Sequence, residues 1–327
     1  MVSSDPTAFP PPSGEQFEIR WGEQQAVITE VGGGIRTYEV AGRAILDGYP
    51  LDEMCNFARG AALIPWPNRL QDGRYTFDGH DYQTPLTEPE RQNAIHGLTR
   101  WMNWQARLVD PSTVVMSVRL HPQEGYPFTL DLEIMYRLAD GGLEVRTTGR
   151  NAGGRPLPYA TGHHPYVTVG TDLVNDAVLR IPARRWLEVD DRLIPTGRAP
   201  AVDGKPLDFR QPHPIGELHL DTAFAGLQPD PDGRIRIELR HPRGRPALVL
   251  WMDAGYPYVM AFTGDSMAPE RRRRSLGLEP MSAAPNAFRS GLGLRTLGPG
   301  ESFTSAWGIT PALRAPSGGI LFELAPP

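Results

Sequence analysis

At 327 residues, with 40% apolar and 22% charged positions, the chain is long enough for one large all-β domain or two medium ones and is ordinary in composition for a globular protein. A net charge of -5 spread along the sequence gives no reason to expect nucleic acid or an anionic membrane surface as a partner. The single cysteine, Cys55, rules out an internal disulfide, and no stretch approaches the ~20 apolar residues of a membrane span, so the sequence predicts a soluble, cytoplasmic protein.

Residues 1–15 are polar and rich in Pro and Ser, with neither a basic start nor an apolar run, which predicts a flexible leader rather than a secretory signal. Period-two alternation then begins at Phe17–Trp21. Cys55, in Leu51-Asp-Glu-Met-Cys-Asn-Phe57, has no neighbouring cation pattern to lower its pKa and reads as a small buried side chain. Arg74-Tyr-Thr-Phe-Asp78-Gly79-His-Asp-Tyr82 predicts a hairpin, because Asp-Gly supplies the positive-φ pair of a tight turn between alternating arms. Alternation returns over Trp104–Leu108 and is clearest over Thr129–Leu138, where Leu130, Leu132, Ile134, Tyr136 and Leu138 share one face. Leu143–Thr147 and Arg234–Arg240 repeat the pattern, while Ala247–Trp251 is a continuous apolar run suited to a strand covered on both faces.

No window longer than about ten residues keeps helical spacing free of Gly or Pro. The 35 glycines and 34 prolines therefore read as turns between many strands. With no repeat, linker or change of composition, residues 16–313 are expected to form a single all-β domain, followed over 314–327 by a tail or terminal strand.

Chemistry gathers in three segments: Asn93-Ala-Ile-His96-Gly97-Leu98, Gly162-His163-His164-Pro165-Tyr166, and Leu278-Glu279-Pro280-Met281. Imidazole titrates nearest neutrality and a carboxylate is its natural partner, so a site holding both moves protons in either direction without a cofactor. His163 and His164 compete for one role, because adjacent residues on a strand point to opposite faces. The same alternation, with no third ligand spaced nearby, argues against a metal. Nor is there a Gly-x-Ser-x-Gly elbow or an activated cysteine for covalent catalysis. Arg69 in Pro65-Trp66-Pro67-Asn68-Arg69 and Asp221 in Leu220-Asp221-Thr222 stand out as substrate anchors.

These segments, in this order, together with Asn286-Ala-Phe288, Pro299-Gly-Glu301 and Trp307-Gly-Ile309, resemble the aldose 1-epimerase (galactose mutarotase) family over about 300 residues. The Pro-Trp-Pro-Asn-Arg form, Thr87-Glu88-Pro89-Glu90-Arg91 before His96 and the arginines before Glu279 resemble the bacterial branch that includes sulfoquinovose mutarotases. The resemblance implies a large antiparallel β-supersandwich that binds a sugar in an open cleft with no cofactor. It implies Glu279 as the base on the anomeric hydroxyl, His164 as the acid on the ring oxygen and His96 as a second histidine at that oxygen. By the same matching, Arg69 and Asp221, with Asn68, hold the sugar hydroxyls. Trp66 and then Tyr166 are the aromatic faces expected in the cleft, with Trp251 in the core.

Each residue also has a plainer reading. His96 before Gly97 resembles a histidine bonding a turn carbonyl, and Glu279 before Pro280 a surface acid. His163 is expected at the cleft rim, and Arg271–Arg274 read as a solvated loop or an anion site. Besides a mutarotase for an aldohexose or related sugar, the sequence admits a non-catalytic carbohydrate-binding protein and a mutarotase for a sulfo- or phospho-sugar. A glycosidase using Asp221 and Glu279 as its carboxylate pair would leave both histidines without a task.

Overall fold

The computed structural model describes residues 9–312. Its strands are antiparallel and form two large sheets. Nine strands make the first, in the order Gln105–Asp110, Thr113–Leu120, Leu130–Ala139, Gly142–Asn151, Ser302–Ala312, Ala247–Met252, Ile235–Arg240, Val178–Arg180 and His213–Pro214. The second runs Ala183–Trp186, Asp221–Leu227, Tyr258–Phe262, Leu276–Met281, Gly162–His163 and Ala62–Leu63, and Tyr166–Val167 also pairs with Leu276–Met281. A four-stranded sheet, Gln16–Trp21, Gln24–Thr29, Ile35–Val40 and Arg43–Ala44, precedes them.

Side-chain alternation builds the sandwich. Leu130, Leu132, Ile134, Tyr136 and Leu138 are buried as the sequence predicts, each such side chain contributing roughly 1.5–3 kcal/mol of apolar transfer. All six residues of Ala247–Met252 are buried, as expected of an uninterrupted apolar run between covering layers. Val145, Leu250 and Ile309 of the large sheet share one apolar cluster with Phe224, Ala261 and Leu278 of the other, so the core lies between the two. The Asp-Gly hairpin forms with Arg74–Phe77 paired to His80–Gln83 and left-handed φ at Asp78 (50°) and Gly79 (74°). The only α-helix among the described residues is Ala287–Ser290, and no helix is long and apolar enough to cross a membrane.

Two boundaries differ from expectation or fall outside view. Of the expected leader, residues 1–8 lie outside the described residues, but Ser13 is buried and its carbonyl accepts the Val31 N–H at 3.0 Å, so the packed chain begins before residue 16. The expected tail or strand over 314–327 lies wholly outside the described residues. Cys55 is partly buried, and burial raises its thiol pKa to about 11.

Candidate active site

The face of the second sheet turned away from the core carries the site. Strand register places Asp221 opposite Phe262, Phe262 opposite Gly277, and Glu279 opposite Met260. Asp221, Phe262 and Glu279 therefore point to one side, while Leu276 and Leu278 point into the core. A cavity of ≈ 570 Å³ opens there, bordered by Asn68, Arg69, His96, His164, Tyr166, Asp221 and Glu279.

Local structure explains how distant segments meet. Arg69–Gln71 pairs with Asn93–Ile95, which sets Asn68 and Arg69 beside His96. Asn68 (φ 56°) and His96 (φ 65°) both take left-handed backbone, tolerable for Asn and His, and lock each other. The His96 N–H donates to the Asn68 carbonyl at 3.0 Å, and the Asn68 N–H donates to His96 Nδ1 at 3.3 Å. That second bond fixes the neutral tautomer with its proton on Nε2, leaving His96 a donor for a ligand oxygen. Arg69 is held by a two-point bond to Glu88, Nε to Oε2 and Nη2 to Oε1 both at 3.0 Å, and reaches Asp221 Oδ2 at 3.4 Å.

His163 and His164 diverge. His163 crosses the sandwich interior, its ring 5.3 Å from Trp307 and its Nε2 2.7 Å from Thr147 Oγ1, so it lies in the core and not at the cleft rim where it was expected. His164 faces the cavity, with Nε2 3.2 Å from Glu279 Oε1 and its ring 5.3 Å from that of His96. Glu279 is 2% exposed, and its Oε2 and the Nδ1 of His164 have no hydrogen-bond partner among the described residues.

Burial dominates the electrostatics. It pushes the Glu279 carboxyl well above the usual carboxylate range, with Asp221 adding like-charge repulsion and Arg69 opposing. It holds His164 down to about 3, with Arg100 next in effect, and lowers His96 well below 6.5 with help from His164. His163 falls to about 3 by burial alone. Folded values below the unfolded 6.5 mean that these histidines contribute stability above pH 6.5 and lose it as pH falls toward 3. The raised Glu279 pKa works in the opposite sense, losing stability as pH rises, while the lowered carboxyls of Glu88, Glu144 and Asp265 lose stability in acid as the histidines do. The melting temperature should therefore fall between pH 6.5 and pH 3, and a flat profile over that window contradicts the neutral, buried histidines.

His96, His164 and Glu279 offer metal-ligating atoms within 4.8 Å of one another, a looser spread than the ~3.5 Å between ligands around a tetrahedral zinc. The donor types suit a divalent ion, and the spacing suits it only after side-chain movement.

The two aromatic side chains expected in the cleft are placed differently, and only the expectation for Trp66 is corrected. Trp66 is 3% exposed and does not border the cavity, because its indole joins the main apolar core cluster, 5.3 Å from Phe288. Tyr166 does border the cavity but is 1% exposed, its ring stacked on His164 at 4.8 Å and 14°, so it supports the imidazole and offers no free face. The run Arg271–Arg274 is engaged by protein: Arg273 pairs with Asp265 at 2.8 Å, Arg271 with Glu53 at 3.5 Å, and Arg272 and Arg274 bond backbone carbonyls.

Glu88, Arg100 and Phe57 are the site residues that sequence reasoning missed. Glu88 belongs to a segment noted above only for its resemblance, and nothing in its spacing reveals that it neutralises Arg69. Replacing it by Gln removes one partner of a buried ion pair and should cost about 3 kcal/mol. Chemical denaturation of Glu88→Gln measures this, and an unchanged midpoint would show the pair to be incidental.

Comparison with known proteins agrees with this architecture. The family model described as aldose 1-epimerase matches residues 15–310. The uncharacterized Escherichia coli protein YihR is 32% identical over 290 residues, covering 88% of this chain and 91% of its own. Rat galactose mutarotase is 31% identical over 245 residues, covering 68% and 69%. The crystal structure of a GalM/aldose epimerase homologue from Caenorhabditis elegans superposes with a TM-score of 0.80 at 18% identity, covering 91% of this chain and 99% of that one. A galactose 1-epimerase from Lactobacillus acidophilus gives 0.74 at 18% identity, with 90% and 94% covered. At such identities the two structures bear on the fold alone.

Proposed function

Because the chain belongs to the aldose 1-epimerase family, and is on that ground an isomerase, we propose that it interconverts the α and β anomers of an aldohexose or related sugar, with Glu279 and His164 as the proton-transfer pair. The observation that carries this reading is the 3.2 Å contact between His164 Nε2 and Glu279 Oε1 at the cavity, with Glu279 Oε2 left unpartnered. Mutarotation needs a proton taken from the anomeric hydroxyl and one delivered to the ring oxygen. Both oxygens sit on one carbon, so a base and an acid in mutual contact can serve them together.

Burial favours the neutral forms, a protonated carboxyl beside a neutral imidazole. Moving that one proton across the 3.2 Å gap gives carboxylate and imidazolium with no change in net charge. The carboxylate of Glu279 then takes the anomeric proton while His164 protonates the ring oxygen, and the bond from C1 to the ring oxygen breaks. His96 donates from Nε2 to the same oxygen, and Arg69, Asp221 and Asn68 hold hydroxyls. Rotation about C1–C2 and reclosure, with acid and base exchanging roles, yields the other anomer.

A second reading, a sulfo- or phospho-sugar as substrate, is favoured by Arg100. It borders the cavity, and burial lowers its pKa with no carboxylate offsetting the effect among the described residues. A cation so placed suits an anionic substituent. The test of both is a polarimetric or NMR screen of freshly dissolved α anomers, including glucose, galactose and their 6-sulfonated and 6-phosphorylated analogues. Acceleration over buffer is expected for at least one sugar, and a preference for the anionic members selects the second reading. A panel that equilibrates no faster with protein than without it overturns the assignment.

A further inference from the structure

We propose that Phe57 is the aromatic platform on which the apolar C–H face of the sugar rests at the cleft mouth, a contact that sets affinity. This rests on the mutarotase reading above and adds to it a specificity-determining residue.

The turn Asn56–Ala58 is unusual in its backbone. Phe57 (φ 53°, ψ 31°) and Ala58 (φ 56°) take left-handed conformation in succession, which side chains with a Cβ adopt only when the surroundings impose it. Ala58 is buried in a small cluster with Ala61 and Leu63, but the ring of Phe57 joins none of the apolar clusters and is 48% exposed. It borders the same cavity as Glu279 and His164, and of the three aromatic residues there, with Tyr166 and Phe262, it has the most open surface. An aromatic ring in strained backbone that stays 48% exposed and belongs to no apolar cluster among the described residues keeps open surface at the cavity.

The turn is also registered against the acid. The Tyr166 hydroxyl donates to the Phe57 carbonyl at 3.0 Å, and the same tyrosine ring stacks on His164. Arg59, next along, lays its guanidinium 4.6 Å from the Tyr166 ring centre and bonds Asp47 at 2.7 Å. Phe57 is thereby fixed relative to the imidazole that meets the ring oxygen. A flat aromatic face at that place suits the C–H face of a pyranose whose oxygens point to Glu279, His164 and Arg69.

The test uses NMR anomer exchange on the full chain with a sugar that the wild type equilibrates. Phe57→Ala and Phe57→Gly are expected to raise KM about tenfold while kcat stays within about threefold, and Phe57→Tyr to restore KM to within about twofold. Glycine accepts the left-handed backbone without strain, so it separates loss of the ring from disturbance of the turn. Unchanged KM in the Gly variant, or a Tyr variant as poor as the Ala variant, overturns the platform. A wild type inert toward every sugar refutes instead the mutarotase reading on which it rests.

Discussion

Glu279→Gln is expected to keep the fold and still bind sugar while interconverting anomers about 10³-fold more slowly. The amide matches the carboxylate in shape but neither accepts a proton from the anomeric hydroxyl nor exchanges one with His164. Stability should be retained, because burial already disfavours the charged carboxylate and a neutral side chain carries no such cost. Saturation-transfer NMR for binding and exchange spectroscopy for rate make the two readouts on one sample. The pattern also distinguishes an enzyme from a silent sugar binder. A variant retaining a tenth or more of the wild-type rate would remove Glu279 from the proton path.

Gly97→Ala should be a severely damaging small change to the scaffold beside the site, costing about 4 kcal/mol. Gly97 has φ +68°, and a Cβ there would stand 2.0 Å from the Ile64 carbonyl oxygen and 2.3 Å from its carbon. Neither atom can yield alone, since the Ile64 carbonyl accepts the Leu98 N–H at 2.7 Å and Ile64 begins the segment that leads through Trp66 to Asn68 and Arg69. Relief of the clash would move His96 and Arg69 together, so activity should fall with stability. Equilibrium denaturation measures the first, and a loss under 1 kcal/mol would mean that the segment is looser than its contacts indicate.

What could be read from the chain divides along physical lines. Thr129–Leu138 and Ala247–Trp251 were legible because burial on one face or on two writes itself into the order of apolar residues. The divergence of His163 and His164 was legible because neighbours in extended backbone point to opposite faces, and it holds here although the strand Gly162–His163 ends just before His164. Trp66 was misplaced because it lies between short strands where no periodicity reports direction, and proximity to a motif says nothing about which way an indole turns. Glu88 and Phe57 stayed hidden for a related reason. The first acts through an ion pair made only when Arg69–Gln71 meets Asn93–Ile95, and the second through backbone conformation that its residue type argues against. The docking of Ser13 likewise depends on Val31, a partner that polarity and proline content do not announce.

That one sugar carbon presents its two oxygens to Glu279 and His164 can be seen in a crystal structure of Glu279→Gln soaked with a sugar that the wild type equilibrates. The account predicts the anomeric oxygen within hydrogen-bond reach of the Gln side chain and the ring oxygen within reach of His164 Nε2, about 3 Å in each case. A sugar bound with its reducing carbon turned away from both residues would contradict it.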